Sequence, residues 1–270
     1  LDSAVFMALS PKTILVSNSK VSRNRVIRKI YQWNGFITLD DKSAIKDELV
    51  RDYIAHGYSL VVFPEGKRND RSTISRFHKG AFLFAERYGL DIQPFIIHGL
   101  NVVLPRNSFQ VFAGSITVKG YERVRQDGHT TYSEMTSRVH AFYKKEYERL
   151  ACEIETAAYF APLVEDRYCY KGVEIYRSVH KNIKRNNCFT RWIDTSESLS
   201  AVLIKNNDNG EFALLYALVH PSTLVTVLEE DESKRALLTY CAKGVADNLQ
   251  VMDHVDMKEA EEAGIKIISL

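Results

Sequence analysis

The chain has 270 residues, and 36 lysines and arginines against 34 aspartates and glutamates leave a formal charge of +2, so its overall charge gives no reason to expect a nucleic-acid partner. A composition of 45% hydrophobic and 26% charged residues excludes a disordered chain, a collagen-like repeat and a coiled-coil rod. Length favours two domains of about 100 to 150 residues. Cys152, Cys169, Cys188 and Cys241 form no CxxC pair and no Cys/His cluster, so neither a disulfide framework nor a metal site is expected. No run approaches the roughly 18 to 20 uncharged apolar residues of a membrane-spanning helix.

Along the chain, strand-like and helix-like runs alternate. Thr13 to Val16 reads as a strand, Arg23 to Trp33 as a helix, Gly35 to Leu39 as a strand and Ser43 to Ala55 as a helix. Tyr58 to Phe63 is a continuous apolar run stopped by Pro64 and Gly66, the profile of a buried parallel strand. A helix (Phe77 to Arg87) and a strand (Ile92 to Ile97) follow, and Gln110 to Val118 reads as paired short strands around Gly114. A long amphipathic helix starts at Tyr132, with Met135, Val139, Phe142, Leu150 and Ile154 on its apolar stripe. After a boundary between about Ala157 and Lys171, a second alternation begins. It takes strands at Ala201 to Ile204, Leu224 to Leu228, Leu249 to Met252 and Ile265 to Ser269, with helices at Gly210 to Val219 and Ser233 to Lys243 and a short helix before the last strand. Repeated strand–helix units predict parallel sheets with right-handed crossovers, so the fold class is α/β, with domains at 1–157 and 168–270.

Charge is concentrated in one place. Between Gly66 and Lys79, the cations Lys67, Arg68, Arg71, Arg76 and Lys79 stand against Asp70 alone, a local +4 at the C-terminal end of a predicted buried strand. A guanidinium at Arg68 suits a pair of phosphate oxygens, while Lys67 and Lys79 act as point charges. Most such runs are merely solvated loops.

The string Phe63-Pro64-Glu65-Gly66-Lys67-Arg68 resembles the FPEGTR block of the glycerolipid acyltransferase family, typified by 1-acylglycerol-3-phosphate acyltransferase. Gly35-Phe36-Ile37-Thr38-Leu39-Asp40 stands where that family has a GFIxID-like block, and Gln93-Pro94-Phe95 where it has a strand with a proline. Leu1-Asp2-Ser3-Ala4-Val5-Phe6-Met7 is similar to the end of its HxxxxD block, with Asp2 as the aspartate. The resemblance implies an α/β acyltransferase domain that uses acyl-CoA or acyl carrier protein as donor and needs no cofactor. In the family, the histidine takes the proton of the acceptor hydroxyl, which attacks the thioester, and the aspartate orients the imidazole. Five positions is about one helical turn, within reach for such a pair. It implies Asp2 as the catalytic residue within this chain, and Glu65, Gly66, Lys67 and Arg68 as acceptor-binding residues. None of the chain's own histidines has an aspartate at the fifth following position. The chain starts at Leu1 rather than Met and ends on a strand, so it reads as a fragment cut inside the HxxxxD block, expected to be inactive by itself. Asp41 replaces the arginine that usually ends the second block, and Lys67 the threonine of the third, so the acceptor need not be lysophosphatidate.

In the second half, Val202 to Ala213 at a strand-to-helix turn is similar to the first motif of class I S-adenosylmethionine-dependent methyltransferases, a Rossmann-like fold. The resemblance implies cofactor contacts at Gly210 and Glu229, with Asp253 after the third strand. Asn206 and Asp208 stand at the other two glycine positions, where their side chains project into the cofactor's place and the Asp208 carboxylate repels its carboxylate. The expectation is a partial, degenerate methyltransferase-like domain. Between the halves, Val173, Tyr176, Val179 and Ile183 stripe a basic helix that suits either a membrane surface or packing within the protein. The function expected is acyl transfer to a hydroxyl of a lysophospholipid or related polar lipid at the cytoplasmic membrane face, peripheral or tethered. The alternatives are a non-catalytic lipid-binding or scaffold module of a larger membrane assembly and a methyltransferase. Acyltransferase-like and methyltransferase-like segments in one chain also occur in bacterial proteins fused to an exporter-like membrane portion.

Overall fold

The structure, a computed structural model, describes residues 6, 10, 12–18, 29, 37–39, 44–66, 73–105, 110–185, 187–205 and 207–269. The helix expected over Arg23 to Trp33 therefore lies outside the described residues apart from Lys29. The chain divides into two compact units, Leu1–Asn101 with Thr117–Arg149, and Val102–Ile116 with Leu150–Leu270.

In the first unit, strands β1 (Thr13–Asn18), β2 (Ile37–Leu39) and β3 (Ser59–Val62) form a parallel sheet in the order β2-β1-β3. Val16 is opposite Ile37 on one side and Val62 on the other. Helix α1 (Ala44–Ala55) buries Val50 with Ile14, Val16 and Ile37, as the apolar positions of a crossover helix require. Helix α2 (Gly80–Tyr88) leads to β4 (Phe95–His98), which pairs with β5 (Thr117–Gly120) antiparallel, Phe95 opposite Gly120. The hairpin expected inside Gln110 to Val118 does not form. Its last residues supply β5, and Phe112 instead buries its ring in the second unit, with its N–H on the Val103 carbonyl at 2.8 Å. Helix α3 (Tyr132–Ile154) packs Met135 and Val139 on Phe77 and Phe82, and its last turns, from Leu150, belong to the second unit.

The second unit takes in Val102–Ile116 and the chain from Leu150, so the segment expected as a boundary is a helix within it. Helix α4 (Ala157–Tyr168) runs through Pro162, capped by the Thr156 side chain and with Phe160, Leu163, Val164 and Tyr168 buried. Helix α5 (Val173–Arg185) turns Val179 and Ile183 into the core, so that part of its stripe is spent on packing, while Val173 stays exposed. After α6 (Asn187–Thr195), strands β6 (Ala201–Lys205), β7 (Leu224–Leu228), β8 (Leu249–Met252) and β9 (Lys266–Ser269) form an all-parallel sheet in the order β8-β7-β6-β9. The crossovers are α7 (Glu211–Val219), α8 (Glu232–Ala242) and α9 (Met257–Glu262). Strand order reverses beside β6, the topological switch point of a doubly wound sheet. Helix α7 is apolar nearly all round, and Phe212 to Ala217 are all buried. The chain is thus α/β in both units, mixed in the first and parallel in the second.

Candidate functional site

The best-built turn of the first unit follows β3. Gly66 adopts φ +66°, and its N–H closes on the Phe63 carbonyl at 3.1 Å, so Phe63-Pro64-Glu65-Gly66 folds back on itself. The residues after the basic loop return to it: the His78 N–H bonds the Pro64 carbonyl at 2.7 Å, and the Ser75 N–H donates to the Glu65 carboxylate at 2.9 Å. Helix α3 braces the same segment, with His140 Nε2 donating to the Ser75 carbonyl at 3.0 Å and the His140 ring edge-on to Phe77. Burial pushes the Glu65 carboxyl above the ordinary range, opposed by the Ser75 amide and by the nearby His140. Glu65 is therefore a tie between the turn after β3 and the segment that returns at Ser75.

Three of the blocks singled out in the sequence meet at one aromatic contact. The Phe6 ring is edge-on to Phe63 at 6.0 Å and to Phe95 at 5.4 Å. Sequence reasoning missed Phe6, whose only signal was its place four residues after Asp2. Asp2, Lys67 and Arg68 lie outside the described residues, as do Gly35, Phe36, Asp40 and Asp41. Lys79, counted among the cations of the loop, is committed elsewhere: its ammonium donates to Ser133 Oγ at 2.9 Å and stands over the Tyr132 ring. The His78 imidazole, by contrast, is exposed and rests on Gly66. A methyl group on the Gly66 α-carbon would come within 2.9 Å of its Cδ2 and 3.1 Å of its Nε2.

The turn after β6 is the second candidate. Gly210 takes φ +89° at the start of α7, and a Cβ there would come within 2.5 Å of Leu238, so glycine is needed for both conformation and packing. Asp208 occupies φ +30°, an unusual conformation for a non-glycine residue. Its carboxylate and that of fully buried Glu211 both accept from Asn182 Nδ2 of α5, at 3.1 and 2.7 Å. Glu211 also accepts the Asn209 N–H at 3.1 Å, and Tyr168 donates to the Asn209 carbonyl. Burial raises the Glu211 carboxyl above its usual range despite these bonds. The Glu229 carboxylate, expected to face a ribose, accepts the Asp231 N–H in its own loop. Asn206 lies outside the described residues, and the buried Asn207 amide has no hydrogen-bond partner among them. An S-adenosylmethionine fit at this turn therefore meets the Asp208 side chain, and polar groups already tied to α4 and α5.

Ser196 Oγ lies 3.0 Å from His220 Nε2, a pair that invites a nucleophile–base reading. The same nitrogen is 2.9 Å from the Ile193 carbonyl, which can only accept, so Nε2 carries the proton and is no base for the serine. Among the described residues, no cluster could hold a metal ion and no helix is long and apolar enough to cross a membrane.

Residues 1–98 match the family model described as Acyltransferase. A 1-acyl-sn-glycerol-3-phosphate acyltransferase of Cocos nucifera is 25% identical over 151 residues, which cover 53% of this chain and 49% of that protein. One of Chlamydomonas reinhardtii is 30% identical over 98 residues, 33% of this chain and 30% of that protein. The matched stretch thus spans half or less of these relatives. The crystal structure of PlsC, the 1-acyl-sn-glycerophosphate acyltransferase of Thermotoga maritima, aligns with a TM-score of 0.43 at 19% identity, covering 52% of this chain and 57% of that one.

Proposed function

We propose that the first unit is an acyltransferase domain that passes a fatty acyl group from acyl-CoA or acyl carrier protein to a hydroxyl of a lysophospholipid or related polar lipid. The reading is carried by the convergence of its sequence blocks: Phe6 packs on Phe63 and Phe95, which brings the stretch after Asp2, the PEG turn and the proline-bearing strand together within residues 1–98, the part that matches the Acyltransferase model. In this reading Asp2 orients a histidine five positions before it and stabilises the imidazolium formed when the acceptor hydroxyl gives up its proton. Glu65 and Gly66 hold the loop, and Lys67 and Arg68 meet the anionic head group. The reaction runs at the cytoplasmic membrane face, with the protein peripheral or tethered.

The test is acyl transfer from radiolabelled acyl-CoA to a panel of lysophospholipids by the protein extended so that a histidine stands five positions before Asp2. Diacyl product that disappears when that histidine becomes alanine supports the reading. A folded protein that yields none with any donor would instead fit a non-catalytic lipid-binding or scaffold module. We infer that the second unit is a structural, methyltransferase-like module without bound cofactor, supported by the Asn182 bridge over its turn.

A further inference from the structure

We propose that His78 is a head-group contact of the acceptor site: the imidazole receives a phosphomonoester beside Gly66. This rests on the acyltransferase reading above. Four features of the fold carry it. The His78 N–H is fixed to the Pro64 carbonyl at 2.7 Å, so the residue is anchored to the turn itself. The absence of a side chain at Gly66 is what lets the ring edge, Cδ2 and Nε2, settle on the turn immediately before Lys67 and Arg68 in the chain. The flanking residues are held: Phe77 is buried against Phe82, His140 and Tyr143. Finally, the residue is exposed, so the ring is not enclosed by the protein.

The charged neighbours sharpen the assignment. On the turn, the Glu65 carboxylate is engaged by the Ser75 amide. On the returning segment, the Lys79 ammonium is drawn to Ser133 and Tyr132, and Arg76 is exposed. From α3, the His140 ring is turned to the Ser75 carbonyl. With Glu65, Lys79 and His140 engaged elsewhere, His78 is the side chain seated on Gly66 that is left to meet a ligand. A protonated imidazole offers a charge-assisted N–H to a phosphate oxygen, and a bound dianion in turn favours the protonated ring.

The experiment follows histidine Cε1–Hε1 resonances of the 13C-labelled protein during titration with glycerol 3-phosphate and, separately, inorganic phosphate; His78 is assigned from the H78Q variant. Saturable movement of the His78 signal is expected on addition of ligand. H78Q should bind glycerol 3-phosphate about tenfold more weakly than wild type at pH 6. A response to glycerol 3-phosphate that phosphate alone does not reproduce assigns a lipid-type head group; equal responses assign a general phosphate contact. If Arg68→Ala weakens binding while the His78 signal stays still and H78Q binds like wild type, the role of His78 is overturned and the acceptor site stands. If neither ligand binds the folded protein, the acceptor-site reading falls, and the inference with it.

Discussion

The Glu65 carboxylate accepts the Ser75 backbone N–H at 2.9 Å, joining an acid and an amide ten positions apart that no sequence motif connects. Removing the carboxylate leaves a part-buried N–H without its acceptor, so Glu65→Ala should lower stability by about 1–3 kcal/mol in urea unfolding. Glu65→Gln keeps one acceptor oxygen and should cost less. The comparison depends on pH. The folded-state pKa of Glu65 is raised, so its contribution is complete below the unfolded pKa of about 4.3 and is lost as pH rises through the folded value. Glu65→Gln does not titrate and should therefore gain on the wild type between about pH 4 and pH 7. A relative loss over that window would mean that the ionised carboxylate is the stabilised form.

Gly66 separates two costs that usually come together. Its φ of +66° strains any L-residue, by about 1–2 kcal/mol, and a Cβ there also meets the His78 ring. Gly66→Ala should thus be more damaging in the wild type than in a His78→Ala background. A double-mutant cycle by urea unfolding should return a coupling of about 1 kcal/mol. Equal costs in both backgrounds would show that the imidazole yields freely.

What could be read from the sequence was what depends on local periodicity. The second sheet was legible strand by strand, because Ala201 to Ile204 and Leu224 to Leu228 are apolar runs bounded by polar turns. The PEG turn was legible because its chemistry is local: a proline and a glycine end a buried run. Contacts between distant residues were not. Nothing near Phe6 announces that its ring meets Phe63 and Phe95, and nothing near Lys79 shows its ammonium going to Ser133. The helix through Pro162 was not legible for a different reason. Burial of Phe160, Leu163 and Val164 outweighs the helix penalty of a proline, and that gain belongs to the tertiary core. Gln110 to Val118 alternates as a hairpin should, but the Phe112 ring finds its burial in the second unit.

Among the described glycines, Gly210 leaves the least room for a side chain. Alanine there would set a Cβ 2.5 Å from Leu238 Cδ1 at a φ of +89°, so Gly210→Ala should cost about 3 kcal/mol or more. Trp192, stacked on Tyr216 at 5.7 Å, reports this unit's unfolding by fluorescence once Trp33 is replaced by phenylalanine. Leu238→Ala costs about 2–5 kcal/mol by itself, because it empties a buried site. It also removes the atoms that the added methyl group would strike, so the double variant should be markedly less destabilised than the sum. Strict additivity would assign the whole Gly210 effect to backbone conformation.

Asn182 decides whether the turn after β6 is free to take a ligand. Its amide donates to both Asp208 and Glu211, the two carboxylates nearest the switch point, and Glu211 is fully buried. With these groups satisfied inside the protein and side chains standing at glycine positions, calorimetric titration of the wild type with S-adenosylmethionine should give no heat of binding. Asn182→Ala removes the bridge and leaves a buried carboxyl short of a donor, at about 1–3 kcal/mol of stability. Relieving the tether does not supply the missing glycines, so this variant should also fail to bind. Heat from the variant alone would identify Asn182 as the block, and heat from the wild type would overturn the structural reading of the unit.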